Sequence, residues 1–265
     1  NFWMTSSTLP ALAGSRTVPE LTKPVFIADL HLSPAKPKTV RAFLQFMRET
    51  APHYRELFVL GDLFEFWLGD DAAWIAYPVT RAFQKYAASG GRLYFMQGNR
   101  DVLLGEDYAR LCGGELLKPQ TVVQQTGGPR ILLSHGDEWC LLDTDYQAFR
   151  KMVRDPAWQA EALNMPVLKR VLWALKARKR SKTEKKAKSL AVMDVVTDAV
   201  AVSARSTDCC CVIHGHTHRP SVHLEEPVPR WVIPDWSLDG EKAHRFGWIA
   251  LDKAGIPVLT VKSDH

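Results

Sequence analysis

The sequence predicts an α/β fold: a two-sheet β-sandwich flanked by helices and interrupted by a helical lid insertion. Three observations predict it. Five short apolar runs end in Asp, Asn or His, the way open α/β sheets deliver chemistry to the carboxyl ends of their strands. Stretches of helical period lie between the first of those runs. From residue 141 to 192 the strand pattern stops, and apolar residues recur only at helical spacing.

A chain of 265 residues can bury one good core, so one domain with an insertion is expected. Residues 1–22 read as a flexible N-terminal tail, 23–140 and 193–265 as the core, and 141–192 as the lid. The net charge of +5 permits an anionic partner without naming one. No apolar run approaches the roughly 20 residues that span a bilayer, so a soluble or peripheral protein is expected. The first 23 residues lack a charged segment followed by a sustained apolar one, so no signal peptide is expected. Five cysteines, three of them adjacent at Cys209-Cys210-Cys211, make a poor disulfide framework and carry no Cys-x-x-Cys spacing. They read as small apolar strand residues of a reducing compartment.

Phe26-Ile27-Ala28 runs into Asp29-Leu30-His31. Residues two apart on a strand share a face, so this carboxylate and imidazole can meet one cation. A turn Asp beside a surface His is the plainer alternative. Val40–Met47 has helical spacing. The run Glu56–Leu60 then ends in Gly61-Asp62, the centre of the predicted sheet edge. A carboxylate there can share its oxygens between two cations about 3.5–4 Å apart. Glu65, Phe66 and Trp67 shape the pocket rim. Val79–Ala87 reads as a second crossover helix, stopped by Gly90-Gly91.

Tyr94-Phe95-Met96 leads to Gly98-Asn99-Arg100-Asp101. An Asn carbonyl is a reasonable hard ligand, and Gly98 allows a sharp turn. Asp101 either steadies Arg100 or touches substrate. Thr121–Leu133 reads as a hairpin turning at Thr126-Gly127-Gly128-Pro129, whose second strand delivers His135. Asp137 and Glu138 either orient that His or are surface acids.

Inside the insertion, Phe149, Met152, Val153, Val167, Leu168, Val171, Leu172 and Leu175 keep a helical period. Lys169 to Lys188 holds ten Lys or Arg against one Glu. Such a run is a solvated face or, beside an amphipathic helix, a grip on phosphates and anionic membrane. Ala191–Ala204 reads as a helix returning to the core. Cys211-Val212-Ile213 then ends in His214-Gly215-His216-Thr217-His218. Alternating imidazoles at a strand end are a metal signal, with His214 left as a buried neighbour. Arg219 suits a phosphate. Arg230–Ile233 and Gly247–Leu251, with the turn at Asp252–Gly255, read as closing strands of the far sheet.

The order D-x-H, G-D, G-N-R-D, H-G-D, G-H-T-H resembles the calcineurin-like metallophosphoesterase superfamily over nearly the whole chain. Asp62–Trp67, Gly98–Asp101, His135–Glu138 and His214–Pro220 are similar to the motifs of the UDP-2,3-diacylglucosamine diphosphatase family of lipid A biosynthesis. That resemblance implies a hydrolase yielding UMP and 2,3-diacylglucosamine 1-phosphate by attack on the nucleotide-side phosphorus. It implies two manganese ions, with iron or zinc also compatible with an all-N/O donor set. Asp29, His31, Asp62 and His218 would hold one ion; Asp62, Asn99, His135 and His216 the other. Asn99, Arg100 and His135 would be catalytic. Asn99, Arg100, Asp143, Ser181, Lys185, Lys188, His216 and Arg219 would bind substrate, although a related member has Asn in place of Lys185. Most of the superfamily has His where this chain has Arg100, which disfavours a general acid there and favours a phosphate clamp.

The implied partners are a glycolipid nucleotide and the anionic inner-membrane surface, met from the cytoplasm, with no nucleic acid and no obligate protein partner. Two rival readings stand beside this one. A soluble phosphoesterase would have little use for the lid. A non-catalytic scaffold would have little use for a complete set of ligand types.

Overall fold

The computed structural model describes residues 20–187, 192–240 and 244–263, with only the backbone for 178–187. β1 (Pro24–Ile27), α1 (Pro37–Glu49), β2 (Glu56–Leu60), α2 (Tyr77–Ala88) and β3 (Arg92–Met96) form a parallel βαβαβ unit. α3 (Glu106–Leu111) and β4 (Glu115–Leu116) follow, then a hairpin of β5 (Gln120–Gln124) and β6 (Arg130–Ser134). Three helices come next: α4 (Thr144–Val153), α5 (Pro156–Asn164) and α6 (Val167–Ala187). The chain ends with α7 (Thr197–Ser206), β7 (Cys211–His214), β8 (Ser221–His223), β9 (Arg230–Val232), β10 (Arg245–Leu251) and β11 (Pro257–Ser263).

The strands form two sheets, ordered β11-β10-β1-β2-β3-β4 and β5-β6-β7-β9-β8. Strict alternation explains how apolar runs with no polar face build both. Val25, Ile27, Leu57, Val59, Leu93 and Phe95 join the core beneath α1 and α2. The intervening Phe26, Phe58, Leu60, Tyr94 and Met96 join the core between the sheets, with Ile131, Leu133 and Ile213. Phe26, Phe58 and Tyr94 stack across three strands, with centroids 5.0 and 4.7 Å apart. Leu132 and Val212 point outward against Val200, Ala201 and Ala204 of α7. Strands buried on both faces must read as continuous apolar runs.

Several expectations need correction. The five functional strand ends belong to two sheets, β1–β3 in one and β6 and β7 in the other, so the site lies across both. β10 and β11 extend the sheet of β1 instead of the far sheet, because β10 pairs antiparallel with β1. Leu21 is fully buried and donates its amide to Gln124, so the core begins before residue 23. The returning helix starts at Thr197, not Ala191. Cys209 and Cys211 are buried but Cys210 is exposed, and all five thiols are unpaired.

The inserted helices have legible starts. Asp143 caps α4 by accepting the Tyr146 amide at 3.1 Å. Asp155 caps α5, with Pro156 at its first turn. The orientation of α6 was not legible. Leu168, Leu172 and Leu175, read as the apolar side of an amphipathic helix, are exposed at 71%, 54% and 47%, whereas Arg170 of the basic run is buried.

Candidate metal centre

Most donor residues lie just past their strands, in backbone that twists them together. Asp29, His31, Asp62, His216 and His218 all have positive φ, between 48° and 70°. They are five of the six non-glycine residues in that region among the described residues. Such conformations cost roughly 1–3 kcal/mol each, and they cluster where function over-determines them. Asp29 and His31 therefore meet through tight left-handed turns beyond β1, not through the two-residue period of a strand. Glycines clear the space: a Cβ at Gly98 would overlap Asp62, and one at Gly215 would overlap Asp29.

Two groups of donors converge. In the first, Nε2 of His31 is 3.1 Å from Nε2 of His218, which lies 3.4 Å from Asp29 Oδ1. In the second, Asn99 Oδ1 lies 3.2 Å from His135 Nε2 and 3.0 Å from His216 Nδ1. Asp62 stands between them, with Oδ2 3.8 Å from His31 and Oδ1 3.7 Å from His135. Asp29 also comes within 4.8 Å of both Asp62 and His135. All seven expected ligands are thus brought together.

The donor set fits a pair of divalent cations. Asp29 and Asp62 are buried, and Asp29 Oδ1 makes no hydrogen bond. An interior carboxylate oxygen with no hydrogen bond and two imidazoles nearby suits a cation. Burial works against ionising Asp29, but the His218, His135 and His31 imidazoles hold its carboxyl well below the usual range. Burial, then the charge of His218, pushes His31 far below its ordinary pKa, leaving a neutral imidazole able to ligate. His135 goes the other way. Burial opposes its protonation, yet Asp62, Asp29 and Asp137 push it up to about 9, so a cation there replaces a proton.

The supporting contacts differ from the expected ones. His135 is oriented by the Leu60 carbonyl, 2.9 Å from Nδ1, not by Asp137 or Glu138. Asp137 instead anchors α4, accepting from Tyr146 Oη at 2.8 Å and Arg150 Nε at 2.9 Å, with Arg154 at 3.6 Å. Glu138 accepts from the Ser134 hydroxyl. Asp101 holds neither Arg100 nor an open pocket. It accepts the amides of Gly98 at 2.8 Å and Leu63 at 2.7 Å, locking the loops after β2 and β3 together. Burial and the nearby Asp62 charge raise its carboxyl to about 6. His214 is buried, faces Gly215 O at 2.8 Å and accepts from Arg230 at 3.0 Å; burial, then the Arg230 charge, lowers it to about 3.

Asp235 and Arg245 escaped sequence reasoning. Asp235 Oδ2 faces His218 Nδ1 at 3.8 Å, and Arg245 holds both Asp235 at 2.6 Å and the His218 carbonyl at 2.8 Å. A carboxylate behind a ligating imidazole fixes its tautomer and orientation. The signal existed, since Trp231-Val232-Ile233-Pro234-Asp235 is another apolar strand leading to an acid.

Arg100 is half-buried beside the donors, its amide on Asp62 Oδ1 at 2.8 Å and its carbonyl accepting from Trp67. Arg219 pairs with Asp194 at 2.6 Å. Asp143 is buried at the α4 cap. Ser181 and Lys185 lie on α6 where only the backbone is described, and Lys188 falls outside the described residues.

The calcineurin-like phosphoesterase family model matches residues 22–220. The UDP-2,3-diacylglucosamine hydrolase of Bordetella parapertussis is 40% identical over 253 residues, covering 92% of this chain and 98% of that protein. The proteins of the same name from Stenotrophomonas maltophilia and Haemophilus ducreyi are each 41% identical. The first alignment covers 84% of this chain and 96% of its relative; the second covers 88% and 98%. Converging donors and full-length likeness agree, and the chain belongs to the calcineurin-like phosphoesterase family.

Proposed function

We propose that this chain hydrolyses UDP-2,3-diacylglucosamine to UMP and 2,3-diacylglucosamine 1-phosphate in lipid A biosynthesis. The observation that supports this most directly is about 40% identity to the hydrolases of that name along nearly their whole length. Two divalent cations, manganese by the family resemblance with iron or zinc equally compatible with this N/O donor set, would supply an activated water and neutralise charge building on the diphosphate.

The residues of the chain do the rest. Asp29, His31, Asp62 and His218 would hold one cation, and Asp62, Asn99, His135 and His216 would hold the other. Asp62, with one oxygen toward His31 and the other toward His135, would serve both donor groups. Arg100 has its backbone fixed by Asp62 and Trp67, so its guanidinium can steady the second phosphate as a charged fork. The departing sugar phosphate is stable as an anion and needs no proton, so Arg serves where a general acid is not required. Asp143, Ser181, Lys185, Lys188 and Arg219 grip the remaining substrate. The exposed Leu168, Leu172 and Leu175 give the acyl chains an apolar surface.

None of the described helices is long and apolar enough to cross a membrane. We place the protein on the cytoplasmic side of the inner membrane, held peripherally by basic α6. That attraction is worth about 1 kcal/mol per Lys or Arg near an anionic surface, and salt screens it. Sedimentation with anionic vesicles should therefore fall as salt rises.

The deciding assay compares UDP-2,3-diacylglucosamine, UDP-glucose and bis(4-nitrophenyl) phosphate with manganese present. UMP should be released fastest from the diacylated nucleotide. Faster cleavage of UDP-glucose would point to a soluble nucleotide substrate.

A further inference from the structure

We propose that Arg170 is the pin that sets the angle of α6 against the loop after β2, making it a positioning residue for the lipid substrate. The inference rests on the functional reading above. Among the described side chains of this basic helix, Lys169 and Lys176 are exposed, yet Arg170 turns inward and is only 5% exposed.

Its guanidinium is engaged on every nitrogen. Nε donates to Met165 O at 2.9 Å, and Nη1 donates to Leu68 O. Nη1 and Nη2 meet Asp71 as a fork, with Nη1 2.7 Å from Oδ1. Gly69, at φ +118°, makes room, because a Cβ there would overlap Nη1.

The receiving loop is itself rigid. Asp70 accepts Trp67 Nε1 at 2.9 Å, the Gly105 amide at 3.0 Å and the Tyr108 amide at 2.9 Å, binding residues 67–70 to α3. Trp67 in turn donates its amide to Arg100 O. The pin therefore joins α6 to the same loop that begins at Asp62.

An ion pair whose acid is 56% exposed contributes little net stability, so stability alone is a weak reason for it. What a planar fork with four bonds provides is a fixed direction. Direction matters because α6 is a lever. Ser181 and Lys185 lie 11 and 15 residues beyond Arg170. At 1.5 Å per residue those are about 16 and 22 Å, so a swing of about 10° moves Lys185 by roughly 4 Å. A displacement of that size at a substrate contact is costly.

The test uses the full-length manganese-loaded enzyme with Arg170→Met, Arg170→Lys and Asp71→Asn. In Arg170→Met and Asp71→Asn, KM for UDP-2,3-diacylglucosamine should rise about tenfold or more. Turnover of bis(4-nitrophenyl) phosphate should stay within about twofold. Arg170→Lys, which keeps the charge without the fork, should fall between. Amide exchange across residues 166–177 should quicken while that of β2 does not change. Parallel losses on both substrates would overturn the proposal by making Arg170 merely structural. Unchanged exchange would overturn it by removing the pin. A wild-type enzyme that cleaves the diester but not the diacylated nucleotide would overturn the functional reading and the substrate role with it. Exchange would then decide the pin by itself.

Discussion

Nε2 of His31 and Nε2 of His218 lie 3.1 Å apart, brought together from loops 187 residues apart in sequence. Two ring nitrogens that close, beside a buried carboxylate oxygen with no hydrogen bond, form a site for one cation. Asp62 links this pair to the second group of donors, and the first prediction concerns that link.

Removing Asp62 should weaken cation binding more than removing any other single ligand, because both donor groups lose a member. By equilibrium dialysis with manganese, Asp62→Ala should lose affinity at both sites and His216→Ala mainly at one. Each loss should reach or exceed the roughly 10–100-fold typical even of outer-sphere partners. Two tightly held ions in Asp62→Ala would refute the shared role.

Asp235 should matter without touching a cation. Asp235→Asn keeps the shape but weakens the hold on His218 and on Arg245. Manganese affinity should fall about 10-fold or more, with little change in thermal stability of the metal-free protein. An unchanged affinity would leave Asp235 as a loop anchor only.

Arg100→Ala should lower kcat on the lipid diphosphate by roughly two to three orders of magnitude, the effect of losing one preorganised donor. Arg100→His should not restore it but should improve turnover of an alkyl diester, whose leaving group needs a proton. A fully active Arg100→His enzyme on the diphosphate would sink the clamp role.

Asp137 gives a pH signature. Burial resists its ionisation, but the charges of His135, Arg154 and Arg150 hold its carboxyl well below the unfolded value of 3.8. A depressed carboxylate contributes stability that is whole above the unfolded pKa and disappears as pH falls through the folded one. Asp137→Asn should cost about 2–4 kcal/mol near neutrality, since it leaves Arg150 and Tyr146 imperfectly paired. The Tm gap between wild type and variant should hold steady above about pH 5 and narrow progressively as pH falls below the unfolded value of 3.8. A gap constant below that value would mean that the carboxylate charge is not what stabilises α4.

The seven donors were legible because metal chemistry demands particular residue types, and strands buried on both faces announce their ends. Period two pointed to Asp29 with His31 for a reason the structure replaces: left-handed turns, not strand alternation, bring them together. Hydrophobic periodicity found α6 but not the inward turn of Arg170, because period reports that a helix has two sides and not which side chain finds a partner. Asp235 and Arg245 looked like ordinary charges, and the motif assigned Asp101 to Arg100 or to substrate instead of to the Leu63 and Gly98 amides.

The sequence by itself determined the order of the main strands and crossover helices and the identity of the seven donor side chains, since both follow from local composition. The tertiary structure alone decided that the ligands come from two sheets, and that β10 and β11 close the first of them. It alone decided that Leu60, Asp101, Asp235 and Arg170 fix what the sequence placed. Those contacts join segments separated along the chain, and their geometry comes from packing two sheets over a shared core. No local pattern in the chain encodes that distance.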